Sequence, residues 1–385
     1  MRVRRLAKHL WNIVRKGDWV LLLACIAASV FGCIVIASAT AHNGSSRYLM
    51  VQIGAIVLGI LSYLAISAID LDWIAEHRML MVAFNIGLLL LLIPFGTDFK
   101  SGNRSWLMLP LVPVSIQPAE LCKITFVLIM ASVMASYQQK VSSVKSVFTM
   151  LFHLGLLVGV NMLVSKDAGV SLIFVFIFAG MAVAGGVSWL WFLLGGSLVA
   201  VGTPILWNYF MQPHQKNRIL VLFDPSIDPM GIGPRYHTKR SLLSLTGGGL
   251  MGQGLFQGNR TQIGALPAQH TDYIFSAIGE EMGFIGCFFV LVLLGFIIFR
   301  IIQIGARSQN YLRRMVCFGA ATALIFQICS NVGMCIGVTP VIGLTLPFIS
   351  YGGSSMLSLY AMLGLVSGVH ARPVPKKHEL YIRPY

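Results

Sequence analysis

The chain has 385 residues, of which 56% are hydrophobic and only 11% are charged, and its mean hydropathy is +0.79. This number of charges is too small to cover the surface of a soluble globule of this length. The composition therefore excludes a soluble protein and predicts a polytopic helical membrane protein. The formal net charge of +15 is typical of membrane topology and of attraction to anionic lipid headgroups, and it gives no reason to expect nucleic acid as a partner.

The apolar runs predict an all-α fold of about ten transmembrane helices. Each run is close to the roughly 20 residues that cross a bilayer. An alternative treats residues 1–41 as a cleaved signal peptide with Ala37-Ser38-Ala39 as its cleavage site, but the apolar run is longer than a usual signal-peptide core, so we retain it as the first span. The predicted spans are 19–41, 48–69, 79–95, 115–136, 147–164, 169–185, 188–210, 273–299, 315–336 and 345–369.

The distribution of Lys and Arg predicts the orientation of these spans. Most of the 28 cations fall in the two ends of the chain and in alternate loops. Because cytoplasmic loops are enriched in Lys and Arg, both termini are expected on the cytoplasmic side. The predicted organisation is a cytoplasmic tail (1–18), a ten-helix membrane domain (19–370) and a second cytoplasmic tail (371–385). A long polar loop, 211–270, then lies on the outer side between spans seven and eight.

This outer loop is the strongest candidate for chemistry, because it is long, polar and cationic in an otherwise apolar chain. It leads into His270, Thr271 and Asp272, directly before the next apolar run. A carboxylate at the boundary of water and lipid could act as a general base or hold a divalent cation. Equally, Thr271 or Asp272 could cap the helix that follows. The cations of the loop are Lys216, Arg218, Arg235, Lys239, Arg240 and Arg260.

Charged residues inside the apolar runs need partners, because an unpaired charge in lipid costs several kcal/mol. Glu280 and Glu281 follow Asp272 on one helix, where at most Glu280 could share a cavity with Asp272. Glu120 and Lys123 are spaced i, i+3, which is typical of a self-neutralising pair and also compatible with a polar cavity wall. For both pairs the residue pattern leaves the structural and the functional interpretation open.

Two further loop features have structural explanations. The glycine-rich segment 247–254 permits close approach of its backbone to a ligand or to another helix. It is weak evidence for a phosphate cradle because no strand precedes it. Asp224 and Asp228 each precede a proline, a pattern typical of turns rather than of a metal pair.

The last two spans carry a long motif that resembles the signature of the SEDS family, which includes RodA, FtsW and SpoVE. The motif runs from Asn331 through Gly337, Pro340, Gly343 and Pro347 to Ser350-Tyr351-Gly352-Gly353-Ser354-Ser355. Segments 331–334 and 254–258 are more similar to the elongation-type RodA branch than to FtsW. Arg240 stands where the family pattern has Gln. Further family motifs match in order at 103–106, 117–123, 223–229, 270–275 and 279–281.

The resemblance implies a peptidoglycan glycosyltransferase that polymerises lipid II, the undecaprenyl-pyrophosphate-linked disaccharide peptide, for cell elongation and shape. Asp272 is similar to the family's essential loop aspartate, as general base or as a ligand of Mg or Mn; no other cofactor is expected. The expected partners are a class B penicillin-binding protein transpeptidase and the elongation machinery of the bacterial cytoplasmic membrane. The expected substrate-binding residues are Arg104, Trp106, Glu120, Lys123, Lys216, Arg218, His270, Thr271, Glu280, Ser350, Gly352 and Gly353.

Two other classes of function stay open on the residues alone. A flippase for the lipid-linked precursor would use the charged pairs within the spans and helices interrupted by glycine. Against it, the charged groups concentrate at one surface and no inverted repeat is visible. A non-enzymatic scaffold for a cell-wall synthase is the third hypothesis.

Overall fold

The computed structural model of the protein describes residues 14–44, 46–97, 104–108, 115–233 and 235–372. Most of the two predicted tails and motif position 103 lie outside these residues. Within them, nine helices are long and apolar enough to cross a membrane, and a further apolar helix, Ala168–Ala184, has 17 residues. The predicted all-α architecture of about ten spans is confirmed.

The elements follow the predicted spans closely. Many helices start where the sequence supplies an acceptor: the side chains of Asp18, Ser143 and Asp167 each accept a hydrogen bond from a first-turn N–H. In chain order the elements are α1 (Trp19–Ala39), α2 (Arg47–Ser67), α3 (Leu71–Glu76), α4 (Arg78–Leu90), α5 (Leu92–Phe95), β1 (Gly96–Thr97), β2 (Trp106–Met108), β3 (Ser115–Ile116), α6 (Pro118–Ser136), α7 (Val144–Val164), α8 (Ala168–Ala184), α9 (Trp189–Ile205), α10 (Pro213–Phe223), α11 (Tyr236–Gly248), α12 (Ile274–Arg307), α13 (Tyr311–Cys335) and α14 (Gly353–Ala371).

Helix α14 lies at the centre of the bundle, where it packs against α2, α6, α12 and α13. Its contact with α2 depends on glycine. A Cβ atom at Gly364 would lie 2.7 Å from the carbonyl oxygen of Tyr63, and one at Gly368 would lie 2.7 Å from that of Ser67. The two backbones therefore touch along this interface. Helix α9, in contrast, has no buried residue and lies at the periphery of the bundle.

Helix α12 is longer than predicted and is broken. It has 34 residues, and Gly283 within it has a φ of 66° and a ψ of −163°, far outside helical values. Such a conformation is accessible to glycine because it has no Cβ atom. The break divides the helix into a short segment next to Asp272 and a long segment that continues to Arg307.

The predicted outer loop is folded rather than irregular. It contains α10 and α11, and α11 packs on α12 and α13. The hydroxyl of Ser241 in α11 donates to the carbonyl oxygen of Cys335 over 2.7 Å and lies 2.5 Å from the hydroxyl of Ser276. The segment before α6 forms a small antiparallel sheet in the order β1-β2-β3, in which Trp106 pairs with Thr97.

Candidate active site

Asp272 lies in a turn directly before α12, and it does not cap that helix. Tyr273 is the residue at the helix N-cap, and no side chain accepts a capping hydrogen bond there. The alternative that Thr271 or Asp272 caps the helix is therefore wrong. The carbonyl of Ala268 accepts the N–H groups of both Thr271 and Tyr273, which closes the turn around Asp272.

Three residues of the long motif in 331–355 hold the backbone of this turn. The N–H of Tyr351 donates to the carbonyl of His270 over 2.9 Å, and the hydroxyl of Ser350 donates to the carbonyl of Thr271 over 2.7 Å. The amide of Asn331 donates to the carbonyl of Asp272 over 2.8 Å and also to that of Leu344 over 2.7 Å. Consecutive carbonyls are thus satisfied by α13 and by the segment before α14, which fixes the direction of the Asp272 side chain.

The carboxyl group of Asp272 is left without a hydrogen-bond donor among the described residues. It faces Gly343, where an added Cβ atom would lie 3.6 Å from Oδ2. Although the residue as a whole is partly exposed, desolvation by its surroundings raises the pKa of Asp272 from 3.8 to about 6. At neutral pH the group is therefore ionised but more basic than an ordinary carboxylate. An aspartate in this state can accept a proton or hold a cation.

Burial lowers the pKa of two histidines near Asp272, which favours their neutral forms. The ring of His270 lies 4.7 Å from that of Tyr48 and 5.7 Å from that of Tyr351. Burial, followed by the nearby His42, lowers the pKa of His270. The ring of His237 stacks on Tyr273 at 5.9 Å, and burial, followed by the charge of Arg218, lowers its pKa as well. The positive charge of Arg218 therefore acts on His237, whose ring stacks on Tyr273, the residue that follows Asp272.

Five of the six predicted loop cations divide into two groups, and the sixth, Arg235, donates its backbone N–H to Asp228 over 3.1 Å. Lys239, Arg240 and Arg260 donate to backbone carbonyls of the loop itself, over 2.7 to 2.8 Å. Arg240 also lies 4.7 Å from the centre of the Tyr236 ring, so this departure from the family pattern has a structural role. In contrast, the side chains of Lys216 and Arg218 donate to no backbone carbonyl in the described part of the chain.

The cations without a loop carbonyl, and Trp106, have distinct positions. Lys216 lies 6.0 Å from the ring centre of Trp207. Arg104 and Arg218 are exposed. Trp106 lies in β2, in the small sheet that precedes α6. The long-loop cations and this sheet both belong to segments outside the membrane helices, but no contact joins Arg104 or Trp106 to Asp272 among the described residues.

Glu280 and Glu281 hold the long polar loop 211–270 against α12. Glu280 is fully buried and accepts three hydrogen bonds of 2.7 to 3.1 Å from the N–H groups of residues 260 and 261 and from the hydroxyl of Thr261. Glu281 accepts hydrogen bonds from the hydroxyl of Ser38 over 2.7 Å and from the amide of Gln262 over 2.8 Å. Because Glu280 is enclosed by these contacts, a substrate cannot reach it in this conformation, and we assign it a structural role.

The glycine-rich segment contacts the break in α12 and not a phosphate site. The N–H groups of Gln253 and Gly254 donate to the carbonyls of Glu280 and Glu281 over 3.0 and 2.9 Å. On the other side of the break, residues 284 and 285 donate to the carbonyls of residues 249 and 250. The loop therefore supplies the hydrogen bonds that the helix loses at Gly283. Of the two sequence interpretations, close approach to another helix is the one observed.

Glu120 and Lys123 form a buried ion pair of 2.8 Å in α6. The hydroxyl of Ser358 in α14 also donates to Glu120, over 2.7 Å. The pair is thus satisfied within the protein, which favours its structural interpretation.

The remaining predicted residues lie at the start of α14: the N–H of Gly352 donates to the side chain of Gln52 over 3.1 Å, and Gly353 is the first residue of the helix.

Sequence reasoning missed two contributors to this site. Asn331 and Gly343 belong to the quoted motif but were not assigned to Asp272, because nothing local shows that residues 59 and 71 positions later return to it. The glycines at 337, 343 and 352 face the chain's own α11, Asp272 and Ser355, where an added Cβ atom would lie 3.1 to 3.6 Å from the nearest side-chain atom.

The bundle of long apolar helices is typical of a polytopic membrane protein. Its candidate active site, around Asp272, lies at one end of the bundle, where the folded loop ends. The chain belongs to the FtsW, RodA and SpoVE family, described as cell cycle proteins, whose family model matches residues 18–373. Members of this family are multi-pass proteins of the bacterial cytoplasmic membrane.

Curated relatives match along nearly the whole chain. The peptidoglycan glycosyltransferase MrdB of Escherichia coli K12 is 31% identical over 365 residues, which cover 94% of this chain and 95% of the relative. The probable peptidoglycan glycosyltransferase FtsW of Thiomicrospira cyclica is 29% identical over 368 residues, or 92% of each chain.

Solved structures share the fold. A chain from a peptidoglycan synthase complex that coordinates polymerization and crosslinking is similar with a TM-score of 0.78 and 28% identity, over 92% of this chain and 97% of that one. The rod shape determining protein RodA of Thermus thermophilus has a TM-score of 0.69 at 24% identity, over 94% and 98% of the two chains, and this second likeness supports the fold alone.

Proposed function

We propose that this chain polymerises lipid II into glycan strands at the outer face of the cytoplasmic membrane, with Asp272 as the general base. The class of enzyme, a peptidoglycan glycosyltransferase, follows from family membership and from relatives that carry this name. One observation supports this role of Asp272. Three hydrogen bonds hold the backbone of the turn that carries its carboxyl group, and that group has a pKa of about 6.

The reaction joins a sugar hydroxyl of one precursor to the anomeric carbon of another. The hydroxyl proton passes to Asp272 as the new C–O bond forms, and the bond from the anomeric carbon to the pyrophosphate oxygen breaks. A base is most effective when its pKa lies near the working pH, provided that it is still ionised. A pKa of about 6 meets both conditions for Asp272 at pH 7.

The pyrophosphate leaving group carries negative charge that cations can stabilise. The side chains of Lys216 and Arg218 in α10, and of Arg104 before β2, donate to no loop carbonyl among the described residues, and we assign these three cations to the leaving group. The polyprenyl chain is expected to lie against the apolar outer surface of the bundle, where α9 presents exposed apolar side chains.

A divalent cation fits this site only with help from the substrate. Among the described residues no group of three His, Cys, Asp or Glu side chains is positioned to hold a metal ion. Mg²⁺ is nevertheless bound by one or two carboxylates together with substrate phosphates in many sites. We therefore propose that Mg or Mn, held by Asp272 and the pyrophosphate, would supply electrostatic stabilisation of the leaving group.

The flippase hypothesis is less well supported. It requires charged groups inside the spans that are available to a passing headgroup. Glu120 is paired with Lys123, and Glu280 and Glu281 are bound by the loop, so these charges already have partners. The carboxyl group of Asp272, at the loop end of the bundle, lacks a donor in the described part of the chain and is the charged group left available to a substrate there.

We further propose that a class B penicillin-binding protein supplies peptide crosslinking beside this chain within the elongation machinery. The solved relative belongs to a complex that coordinates polymerization with crosslinking. The predicted outer loop 211–270 contains no Ser-x-x-Lys acyl-transfer set.

The experiment that tests the function uses the purified chain and purified lipid II, with and without the candidate partner. We expect glycan strands, and we expect more of them when the partner is present. Absence of product in both conditions, from a chain that is folded and membrane-inserted, would contradict the polymerase assignment. Equal activity with and without any such partner would contradict the partner proposal alone.

A further inference from the structure

A second polar site lies at the opposite end of the bundle from Asp272. The end of α12, the start of the turn after it and the end of α14 enclose a cavity of about 290 Å³. This volume lies just below the range for small-ligand pockets, roughly 300 to 1,000 Å³, and is large enough for a phosphate group. The cavity is lined by Arg300, Gln303, Ile304, Arg307, Ser308, Val369 and His370.

The cations of this cavity retain unused hydrogen-bond donors. Arg300 donates through Nε to Asp18 over 2.7 Å and through one terminal nitrogen to Gln303, and its other terminal nitrogen has no partner among the described residues. The guanidinium of Arg307 is exposed and likewise has no partner in the part of the chain that the structure describes. A planar guanidinium with free N–H groups matches the oxygens of a phosphate.

The charge balance of the cavity favours an anion. Asp18 is the one carboxylate in contact with the cavity residues that are described, and it is buried and bound by Arg300 at 2.7 Å and faced by His370 at 3.7 Å. Arg307 therefore contributes an unbalanced positive charge. Arg314 lies just outside, where it donates to the carbonyl of Ser308 over 3.1 Å and adds to the positive field.

The depth of the cavity matches the headgroup region of a bilayer. Arg300 bonds Asp18 at the start of α1, and Glu281, beside the break in α12, bonds Ser38 near the end of α1, which is 20 residues or about 30 Å further along that helix. The hydrocarbon core of a bilayer is also about 30 Å thick. If the turn at Asp272 lies at one membrane surface, the cavity lies among the headgroups of the other.

We propose that this cavity binds the phosphate of an anionic phospholipid on the side of the membrane opposite to Asp272. The apolar wall formed by Ile304 and Val369 lies beside the first carbons of the lipid, while Arg300, Arg307 and His370 contact its phosphate. Basic pockets between membrane helices recognise such headgroups. The proposal is independent of the chemistry at Asp272.

The test uses the full-length chain purified in neutral detergent and measures its thermal unfolding with increasing dihexanoyl phosphatidylglycerol. Dihexanoyl phosphatidylcholine and inorganic phosphate serve as the comparison probes. The informative variant is Arg307→Gln, because the exposed Arg307 side chain makes no internal hydrogen bond with the described residues. Arg300 is not suitable, because its loss would leave the buried Asp18 unpaired. Lys145→Gln, which removes an exposed cation at the start of α7, is the matched control.

We expect phosphatidylglycerol to raise the unfolding temperature more than phosphatidylcholine does, and we expect Arg307→Gln to weaken its apparent affinity by about tenfold, the effect of losing one charge-assisted contact. Lys145→Gln should respond as the unmodified chain does. Equal effects of the two lipids, or equal responses of the two variants, would overturn the proposal. Stabilisation by inorganic phosphate at the same concentrations would assign the cavity to free phosphate and overturn the proposal of a phospholipid ligand.

Discussion

Replacement of Asp272 by Asn should separate catalysis from stability at one residue. Asn has nearly the same shape but can neither accept the hydroxyl proton nor carry the negative charge. We expect glycan polymerisation to fall by about 10²- to 10⁴-fold, the usual contribution of a general base. Because no described residue donates a hydrogen bond to the Asp272 carboxyl, the variant loses no internal contact, and it should insert and fold normally.

The raised pKa predicts that the same variant is more stable than the parent at neutral pH. The folded chain holds a proton on Asp272 up to about pH 6, whereas the unfolded chain releases it near 3.8. Stability of the parent therefore falls as the pH rises between these values. At about 1.36 kcal/mol per pKa unit the difference is at most about 3 kcal/mol, and solvent screening at this partly exposed residue reduces it. The amide of the Asp272→Asn variant cannot ionise, so the stability of this variant should not fall over this pH range.

Two measurements check the prediction. Thermal unfolding of both proteins at pH 4 and pH 7 should show an advantage of Asp272→Asn at pH 7 that disappears near pH 4. The polymerisation rate of the parent should rise with pH through about 6 and then level off. Asp224→Asn is the matched control, because Asp224 is an exposed loop acid bound to Ser226. Parent-like turnover by a well-folded Asp272→Asn protein would refute the catalytic role, and equal stability at both pH values would refute the desolvation argument.

The remaining predictions concern the groups around Asp272. Arg218→Gln should lower polymerisation by roughly tenfold or more, as expected for a charge-assisted contact, with little change in unfolding temperature, whereas Arg240→Gln should mainly lower stability; the opposite pattern would exchange their assigned roles. Gly343→Ala should reduce activity more than Gly186→Ala. Both glycines have positive φ, but only the first substitution places a Cβ atom 3.6 Å from the Asp272 carboxylate, so equal rates of the two variants would contradict this contact. Chelation by EDTA should abolish polymerisation and added Mg or Mn should restore it, and unchanged activity in EDTA would exclude the proposed cation.

Local properties of the sequence determined much of this protein. Hydropathy over windows of about 20 residues is sufficient to place the spans, since a helix satisfies its backbone hydrogen bonds within itself in lipid. The same windows located the long loop and Asp272 at its end. The Glu120–Lys123 pair was predictable because i, i+3 neighbours meet on one helix.

The tertiary structure decided which of the local alternatives holds at each polar residue. The sequence left Asp272 as either a helix cap or a reactive group, and Asn331, Gly343 and Ser350 settle its geometry from another part of the chain. Likewise, the break at Gly283 is compatible with a membrane helix only because a separate loop segment supplies the missing hydrogen bonds. Such contacts depend on how helices pack over long sequence separations, and short-range periodicity carries no information about that packing.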